Sequence, residues 1–194
     1  MADSYHSGQE VMVCEPFTYI VKSRALTKIC DFCLKSAPDL LKCCAKCKSV
    51  FYCENNCQKK AWNSHHKHEC SLMNNVTQIP PGDINDNYRN LVRTILKLKK
   101  NAGNSEFVTL PTGQIRYFKD LMSHKTELAK DSRMKLLSHI YNLLQISFES
   151  AGMKEILPSK SEVLEIWGRL LVNQFDITLQ IGKKWKPKNC RIGS

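Results

Sequence analysis

A dense block of cysteines between residues 30 and 70 constrains this chain more than any other feature. The block holds eight of the ten cysteines in a sequence of 194 residues. Four pairs of side chains there have the spacing of zinc ligands: Cys30 with Cys33, Cys44 with Cys47, Cys53 with Cys57, and His66 with Cys70. Because a structural zinc ion takes four ligands, the block predicts two closed sites that bind two zinc ions. A closed site leaves no position for a catalytic water, so we expect a structural role for the metal.

Disulfide bonds are the other interpretation of so many cysteines, and they suit short secreted proteins. The N-terminus, MADSYHSGQEVMV, lacks the order of basic, apolar and small residues that defines a signal peptide. The sequence contains no run of about 18 apolar residues, the length that predicts a membrane span. We therefore expect zinc ligands in a soluble protein of the cytoplasm and nucleus, without membrane contact.

Two ligand positions leave an alternative open. Cys43 and Cys44 are adjacent; Cys44 keeps a two-residue gap to the next ligand, whereas Cys43 leaves a gap of three. His65 competes with His66 for the second position. If the segment that leads to Cys70 is helical, His66 shares a face with it and His65 points about 100° away. We therefore favour Cys44 and His66, with His65 as the rival.

The net charge of the chain is strongly positive. The formal value is +11, and it falls to about +8 when seven thiolates and two zinc ions are included. Such a charge favours acidic partners, although it also serves ordinary solubility. Because no base-reading motif is present, nucleic-acid binding is expected to be weak at most.

The chain beyond the cysteine block reads as mainly helical. Pro80, Pro81 and Gly82 predict a linker after Cys70. Apolar residues then recur at three- and four-residue intervals in three stretches, which predicts three helices. The first begins near residues 83–85 and stops at 101–103, the second runs from 132 to 152, and the third begins between 158 and 161. Their apolar stripes are Tyr88, Leu91, Val92, Ile95 and Leu98; Met134, Leu137, Ile140, Tyr141, Leu144 and Phe148; and Val163, Leu164, Trp167, Leu170 and Leu171.

Alternating patterns predict strands near both ends of the chain. Residues 8–22 carry a β-branched and aromatic run with a bend or edge at Pro16, and residues 175–181 alternate in the same way. Tyr117, Phe118 and His124 lie in a weaker helical stretch between the helices. Cys14 is expected to be a small core residue, Cys190 to be exposed, and the basic tail around Trp185 to be disordered.

The cysteine block resembles the MYND finger of the SMYD family, the SET-domain protein lysine methyltransferases. FYC at 51–53 and CQKKAW at 57–62 are especially alike. The segment GQEVMVCEPFTYIV is similar to the SET strands that precede the finger, and LLVNQFDI at 170–177 is similar to a strand beside the cofactor S-adenosylmethionine. The resemblance implies an α+β fold with a zinc-stabilised finger inserted after a short β segment of an incomplete SET domain. The implied layout is partial SET strands at 1–29, the finger at 30–70, a linker and helical SET insert at 71–172, and a strand remnant with a basic tail at 173–194.

The resemblance also implies roles for particular residues. The ligands are interleaved in the family, so one ion would take Cys30, Cys33, Cys53 and Cys57, and the other Cys44, Cys47, His66 and Cys70. Spacing alone leaves that pairing undecided. Asn173 and His124 match positions that contact S-adenosylmethionine, whereas by residue pattern alone they are a helix C-cap and a surface histidine. Tyr52, Gln58 and Trp62 match a groove for proline-rich peptides, with Lys59 and Lys60 as peptide contacts at its rim. The alternative is that Tyr52 and Trp62 fill the small core of the finger.

Several parts of the family pattern do not occur in this sequence. They are a glycine-rich cofactor loop, an N-H-S-C-x-P-N segment, a catalytic tyrosine and a cysteine-rich post-SET zinc site. We therefore expect a truncated form that is catalytically inactive and that binds proteins with proline-rich or acidic segments. Histones are a further candidate partner. The alternative function is that of the family, an S-adenosylmethionine-dependent protein lysine methyltransferase.

Overall fold

The computed structural model describes residues 6, 7, 9, 16–37, 40–74, 82–100, 107–109, 113–130 and 132–176. The described part mixes helices and strands. Six α-helices occur in it: α1 (Asn55–Ala61), α2 (Lys67–Asn74), α3 (Asp83–Lys100), α4 (Lys125–Leu128), α5 (Met134–Ser150) and α6 (Lys160–Asn173). A π-helix, Trp62–His66, joins α1 to α2, and 3-10 turns lie at Ser23–Ala25, Phe118–Asp120 and Lys154–Ile156.

Two short antiparallel hairpins supply the strands of the described residues. In the cysteine block, β1 (Lys42–Cys43) pairs with β2 (Phe51–Tyr52), and Lys42 lies opposite Tyr52. Further along the chain, β3 (Phe107–Thr109) pairs with β4 (Ile115–Tyr117), and Phe107 lies opposite Tyr117. The prediction of a weak helical stretch at Tyr117 and Phe118 was therefore wrong, because Tyr117 ends a strand and Phe118 begins a 3-10 turn.

The three predicted helices are confirmed as α3, α5 and α6, and they pack on one another around a common core. Each helix buries the stripe that its sequence predicted, with Leu91 of α3, Leu144 of α5 and Trp167 of α6 at the centre. The indole Nε1 of Trp167 donates to Oδ1 of Asn87 at 2.8 Å, which satisfies its one polar atom inside the core. Burial of such side chains supplies about 1.5–3 kcal/mol each.

The start of α6 has the local sequence that a helix N-terminus needs. Ser159 is the N-cap, and its hydroxyl accepts from the backbone N–H of Glu162. The Glu162 carboxylate in turn accepts from the backbone N–H of Ser159 at 2.8 Å. This reciprocal capping box satisfies two backbone donors that the first turn leaves free. It fixes where α6 begins and therefore where its C-terminal end lies.

Residues 16–22 form no strand in the structure, and the prediction of a strand there was wrong for this part of the segment. Its alternate carbonyls accept instead from three cations of α3: Val21 from Arg89, Tyr19 from Arg93 and Phe17 from Lys97. Four helical residues rise about 6 Å, which matches the spacing of alternate residues in an extended chain. The helix therefore supplies the hydrogen bonds that a neighbouring strand would have supplied. Residues 11–15, including Cys14, lie outside the described residues.

The C-terminal strand prediction is corrected in the same way where the structure describes it. Asn173 is the last residue of α6, and residues 174–176 form no strand. Residues 177–181, Trp185 and Cys190 lie outside the described residues. No helix in the described part of the chain is long and apolar enough to cross a membrane.

A close contact between α6 and the segment before α4 depends on one glycine. A Cβ atom on Gly168 would lie 2.1 Å from the carbonyl oxygen of Ser123 and 2.9 Å from Cδ1 of Leu128. Next to it, Nε of Arg169 donates to the carbonyl of Leu121 at 3.1 Å. The segment 121–123 can therefore lie directly on α6 only because residue 168 has no side chain.

We expect Gly168→Ala to lower the free energy of unfolding. Alanine is favoured over glycine inside a helix by about 1 kcal/mol, but overpacking against a backbone carbonyl costs about 1–3 kcal/mol. Urea denaturation followed by circular dichroism measures the net change. Ser161→Ala, at an exposed position of the same helix, is the control and should change stability by less than about 0.5 kcal/mol. A stabilised Gly168→Ala protein would contradict the close approach.

Candidate metal centres

The first cluster joins four cysteines from three separate pieces of the cysteine block. Cys30 and Cys33 lie in a turn, Cys53 follows β2, and Cys57 lies in α1. All four Sγ atoms lie within 4.8 Å of one another. Sγ of Cys53 is 3.6 Å from Sγ of Cys33 and 3.6 Å from Sγ of Cys57. The hairpin and α1 therefore bring together residues that are 27 positions apart at their ends.

The second cluster contains three cysteines and one histidine, and all four side chains are buried. Cys44 and Cys47 lie in the turn between β1 and β2, while His66 and Cys70 come from the π-helix and α2. Sγ of Cys44 is 3.8 Å from Sγ of Cys70, and Sγ of Cys47 is 3.6 Å from Nε2 of His66. The grouping is the interleaved one that the family resemblance implied.

Both clusters fit tetrahedral zinc. Sulfur ligands at about 2.3 Å from zinc lie about 3.8 Å apart at the tetrahedral angle, and the sulfur pairs here are 3.6 to 3.8 Å apart. A disulfide would need about 2.05 Å, and the cysteines of both clusters are free. Thiolate and imidazole are the donors that zinc prefers in closed structural sites. The structure thus supports two zinc sites, in which each ion would cross-link separate segments of the cysteine block.

Each pair of cysteines separated by two residues is held in a tight turn of the same shape. The residue after the second cysteine, Leu34 in one turn and Lys48 in the other, has a positive φ of 56° and 54° respectively. The N–H of Leu34 donates to the carbonyl of Cys30, and that of Lys48 to the carbonyl of Cys44. Neither residue is glycine, so the left-handed conformation is unfavourable by itself and persists because the turn demands it. The sequence carried no sign of this conformation.

The rival ligands have other neighbours. Nδ1 of His65 lies 2.8 Å from the hydroxyl of Ser64, and its Nε2 lies 3.7 Å from a carboxylate oxygen of Asp31. Cys43 is exposed on β1. The geometry therefore favours His66 and Cys44 as the ligands.

Known proteins share this finger. The family model of the MYND finger matches residues 30–70. A SET and MYND domain-containing protein of Dictyostelium discoideum is 39% identical over 77 residues, which are 37% of this chain and 14% of the relative. Human histone-lysine N-methyltransferase SMYD3 is 27% identical over 88% of this chain and 37% of its own length. N-lysine methyltransferase SMYD2-B of Danio rerio is 28% identical over 90% of this chain and 37% of its own length.

Residues 30–70 are a MYND finger, and the resemblance of the chain to the SET and MYND domain-containing family is confirmed. The chain spans little more than a third of the length of the two lysine methyltransferases that it matches over most of its own length.

A buried group of four charges joins the MYND finger to α3. Arg93 donates to both oxygens of Glu69, from Nε at 2.7 Å and from Nη2 at 3.0 Å, and Nη2 also donates to Asp31 at 3.0 Å. Nη2 of Arg89 donates to the other oxygen of Asp31 at 3.2 Å. Burial is the largest single influence and raises the pKa of both carboxyl groups, but Arg93 together with the other cations and hydrogen-bond donors around them outweighs it. The pKa of Glu69 falls to about 2, and that of Asp31 is also lowered.

Sequence reasoning missed this cluster. Asp31 follows the ligand Cys30 and Glu69 precedes the ligand Cys70. Arg89 and Arg93 are four residues apart on α3. One sign was available in the sequence: Arg89 and Arg93 directly follow the stripe residues Tyr88 and Val92. Two arginines this close to an apolar stripe lie near the edge of the buried face, whereas a solvated face more often carries charges of both signs. Their partners lie 24 to 62 residues away and could not be identified from spacing.

The predicted peptide-contact residues divide into two groups. Tyr52 was wrongly assigned to an open groove: its side chain is 1% exposed and packs in the core of the finger. Its hydroxyl has no hydrogen-bond partner among the described residues. Trp62 is 37% exposed, Lys59 and Lys60 are exposed, and Gln58 is half-buried. Trp62, Gln58 and Lys59 therefore remain accessible, on α1 and the π-helix that follows it.

The predicted cofactor residues, His124 and Asn173, lie where α6 meets the segment before α4. Nδ2 of Asn173 donates to the carbonyls of Met122 at 3.3 Å and Arg169 at 2.8 Å. His124 precedes α4 with a positive φ of 46° and is exposed. It lines a pocket of about 290 Å³ together with Glu127, Leu128, Arg133, Leu171 and Val172. Asn173 does not line that pocket.

We expect His66→Ala to release one of two zinc ions and His65→Ala to retain both. Elemental analysis of the purified chain and a chelating dye give the zinc content, and limited proteolysis reports whether the MYND finger stays folded. Loss of a structural zinc removes about 10 kcal/mol or more of binding free energy from so small a module. His65→Ala, one residue away, is the matched control. If only His65→Ala released zinc, His65 would be the ligand and the assignment of His66 would be wrong. A wild-type chain with fewer than two zinc ions would contradict the eight-ligand assignment.

Proposed function

We propose that the MYND finger is a protein-docking module on a SET-related scaffold. The observation that carries this proposal is the pair of closed four-ligand clusters beside an exposed Trp62. Closed clusters support a structural role for the metal, since a catalytic zinc needs an open position. MYND fingers mediate protein interactions, and the accessible surface of this one offers an aromatic ring next to lysines.

The chemistry of that surface favours a proline-rich segment with acidic residues. Proline rings of a polyproline helix dock on exposed aromatic side chains, and such a segment loses little entropy because it is already extended. The indole of Trp62 lies edge-to-face with the ring of His66 at 5.9 Å between centroids, so its orientation is tied to the second zinc cluster. Lys59 and Lys60 lie on the neighbouring turn and would attract carboxylates.

The second candidate function is methyl transfer by a longer protein of which this chain is a part. Relatives named histone-lysine N-methyltransferase and N-lysine methyltransferase align with 83% to 90% of this chain. That coverage supports a SET-related segment before the finger, at 1–29, and a linker with a helical SET insert after it, at 71–172. In such a protein histones are candidate partners, the nucleus and cytoplasm are the candidate locations, and His124 and Asn173 are candidate contacts of S-adenosylmethionine.

We expect Trp62→Ala to weaken peptide binding at least about tenfold, as loss of a central tryptophan anchor does. The ligand is a fluorescently labelled peptide with a proline-rich core and flanking acidic residues, and anisotropy gives the dissociation constant. Phe175→Ala removes another exposed aromatic ring and should leave binding unchanged. Both variants must retain two zinc ions, so that only the surface differs.

Three results would count against peptide docking. The first is a zinc-loaded wild-type chain that does not bind the peptide. The second is an equal loss of affinity in Trp62→Ala and Phe175→Ala. The third is displacement of the peptide by duplex DNA at lower concentration than by unlabelled peptide, which would favour a nucleic-acid partner for the basic surface instead.

We also propose that these 194 residues alone do not bind S-adenosylmethionine at micromolar concentration or transfer its methyl group. The side-chain amide donor of Asn173 already serves two backbone carbonyls. New hydrogen bonds to a cofactor contribute about 1 kcal/mol each, against the roughly 8 kcal/mol that micromolar affinity requires. Calorimetry and a radiolabelled transfer assay on histones measure both quantities. Micromolar binding that Asn173→Ala abolishes would instead support the methyltransferase function for this part of the chain.

A further inference from the structure

We propose that Glu69 is the positioning residue of the zinc ligand His66, and that Arg93 makes the second zinc site depend on the docking of α3. The proposal rests on the assignment of zinc to the cluster of Cys44, Cys47, His66 and Cys70. It concerns what holds the imidazole in place, which that assignment leaves open.

The two ring nitrogens of His66 face different surroundings. Nε2 points to the cluster, 3.6 Å from Sγ of Cys47. Nδ1 points away from it and is sealed from solvent, with no hydrogen-bond partner among the described residues. The carboxylate oxygen Oε2 of Glu69 lies 3.8 Å from Nδ1. When Nε2 binds a metal, Nδ1 carries the proton, and the Glu69 carboxylate is the acceptor that faces this N–H, within a short shift of hydrogen-bond distance.

Glu69 is held in that position from outside the finger. Its side chain is 1% exposed, and both of its oxygens accept from Arg93 in a two-pronged pairing. Arginine and carboxylate groups that pair in this way fix each other's plane as well as their separation. Arg93 belongs to α3, so the orientation of the Glu69 carboxylate is set by the helical part of the chain. A chain of contacts therefore runs from the second cluster, at His66, through Glu69 to Arg93.

Carboxylates that accept from a metal-bound imidazole fix the orientation of its ring and raise its basicity. Loss of such a partner lowers metal affinity about 10- to 100-fold. The first cluster has four thiolate ligands and no imidazole, so it has no equivalent N–H to satisfy. The proposal therefore predicts a selective effect on one of two zinc sites that lie in the same small module.

The test measures zinc release from the full chain, with a chelating dye in excess, as two kinetic phases. Cobalt(II) substitution assigns each phase, because sites with four sulfur ligands and with three sulfur and one nitrogen ligand absorb differently. We expect Glu69→Ala to speed release from the histidine site about 10- to 100-fold. Glu69→Gln keeps an oxygen acceptor for Nδ1 but loses the charge that Arg93 pairs with, so it should rescue part of that loss. Arg93→Met should speed the same phase.

Glu54→Gln is the matched control within the finger. Oε1 of Glu54 lies 3.7 Å from Sγ of Cys57, a ligand of the first site, and the side chain is exposed. It should change neither phase by more than about twofold. Circular dichroism checks that the helices are intact in each variant, and if Glu69→Ala does not fold, the isosteric Glu69→Gln decides the question.

Two outcomes overturn the proposal. Equal acceleration of both phases means that Glu69 and Arg93 act only on general stability, and unchanged release from the histidine site means that they do not position His66. A wild-type chain that contains fewer than two zinc ions would instead contradict the zinc assignment on which the proposal rests. Selective acceleration with partial rescue by glutamine is the result that the geometry predicts.

Discussion

Two carboxylates and two guanidinium groups lie sealed from water where the MYND finger meets α3. Asp31 and Glu69 come from the finger, and Arg89 and Arg93 come from the helix. Their charges balance, and removal of one partner from such a buried pair costs about 3–5 kcal/mol because the remaining charge stays buried without compensation. The finger and the helical core therefore hold each other in a defined geometry. Arg93 also binds the carbonyl of Tyr19, so the segment that enters the finger is fixed by the same side chain.

Zinc explains how so small a module can present such a junction at all. The buried interior of the MYND finger consists largely of the ligands themselves, with Val50, Tyr52 and Ala61 as its other buried apolar residues in the described part and Met73 of α2 packed beside them. A core of that size cannot offset the conformational entropy of about 40 residues, and metal binding supplies the difference. Asp31 and Glu69 stand next to Cys30 and Cys70. The metal sites thus place the two carboxylates that receive the arginines of α3.

Local patterns predicted the ligands and the helices, and failed where a distant residue decided the outcome. Ligand spacing and the stripes of α3, α5 and α6 depend on residues that are near one another in the sequence. The stripes are confirmed, and the predicted ligands lie together in two clusters that fit zinc. The interleaved pairing of ligands came from family resemblance, because spacing does not say which pairs share an ion. Residues 16–22 look like a strand, yet cations of α3 take the place of the neighbouring strand. Tyr52 matches a groove residue, but the lack of other core residues draws its ring inside.

Trp62, the aromatic residue of the proposed docking surface, contacts His66, a candidate ligand of the second cluster. Both residues lie in the π-helix between α1 and α2, and π-helical turns are frequent at functional sites. The exposed indole contacts the imidazole of His66 edge-on, while the far side of that imidazole faces Glu69 and, through it, Arg93. One short path of contacts therefore runs from the exposed indole through the second cluster to α3. If a partner docks on Trp62 as proposed, it touches a side chain that lies against His66, whose far side faces a carboxylate held by α3.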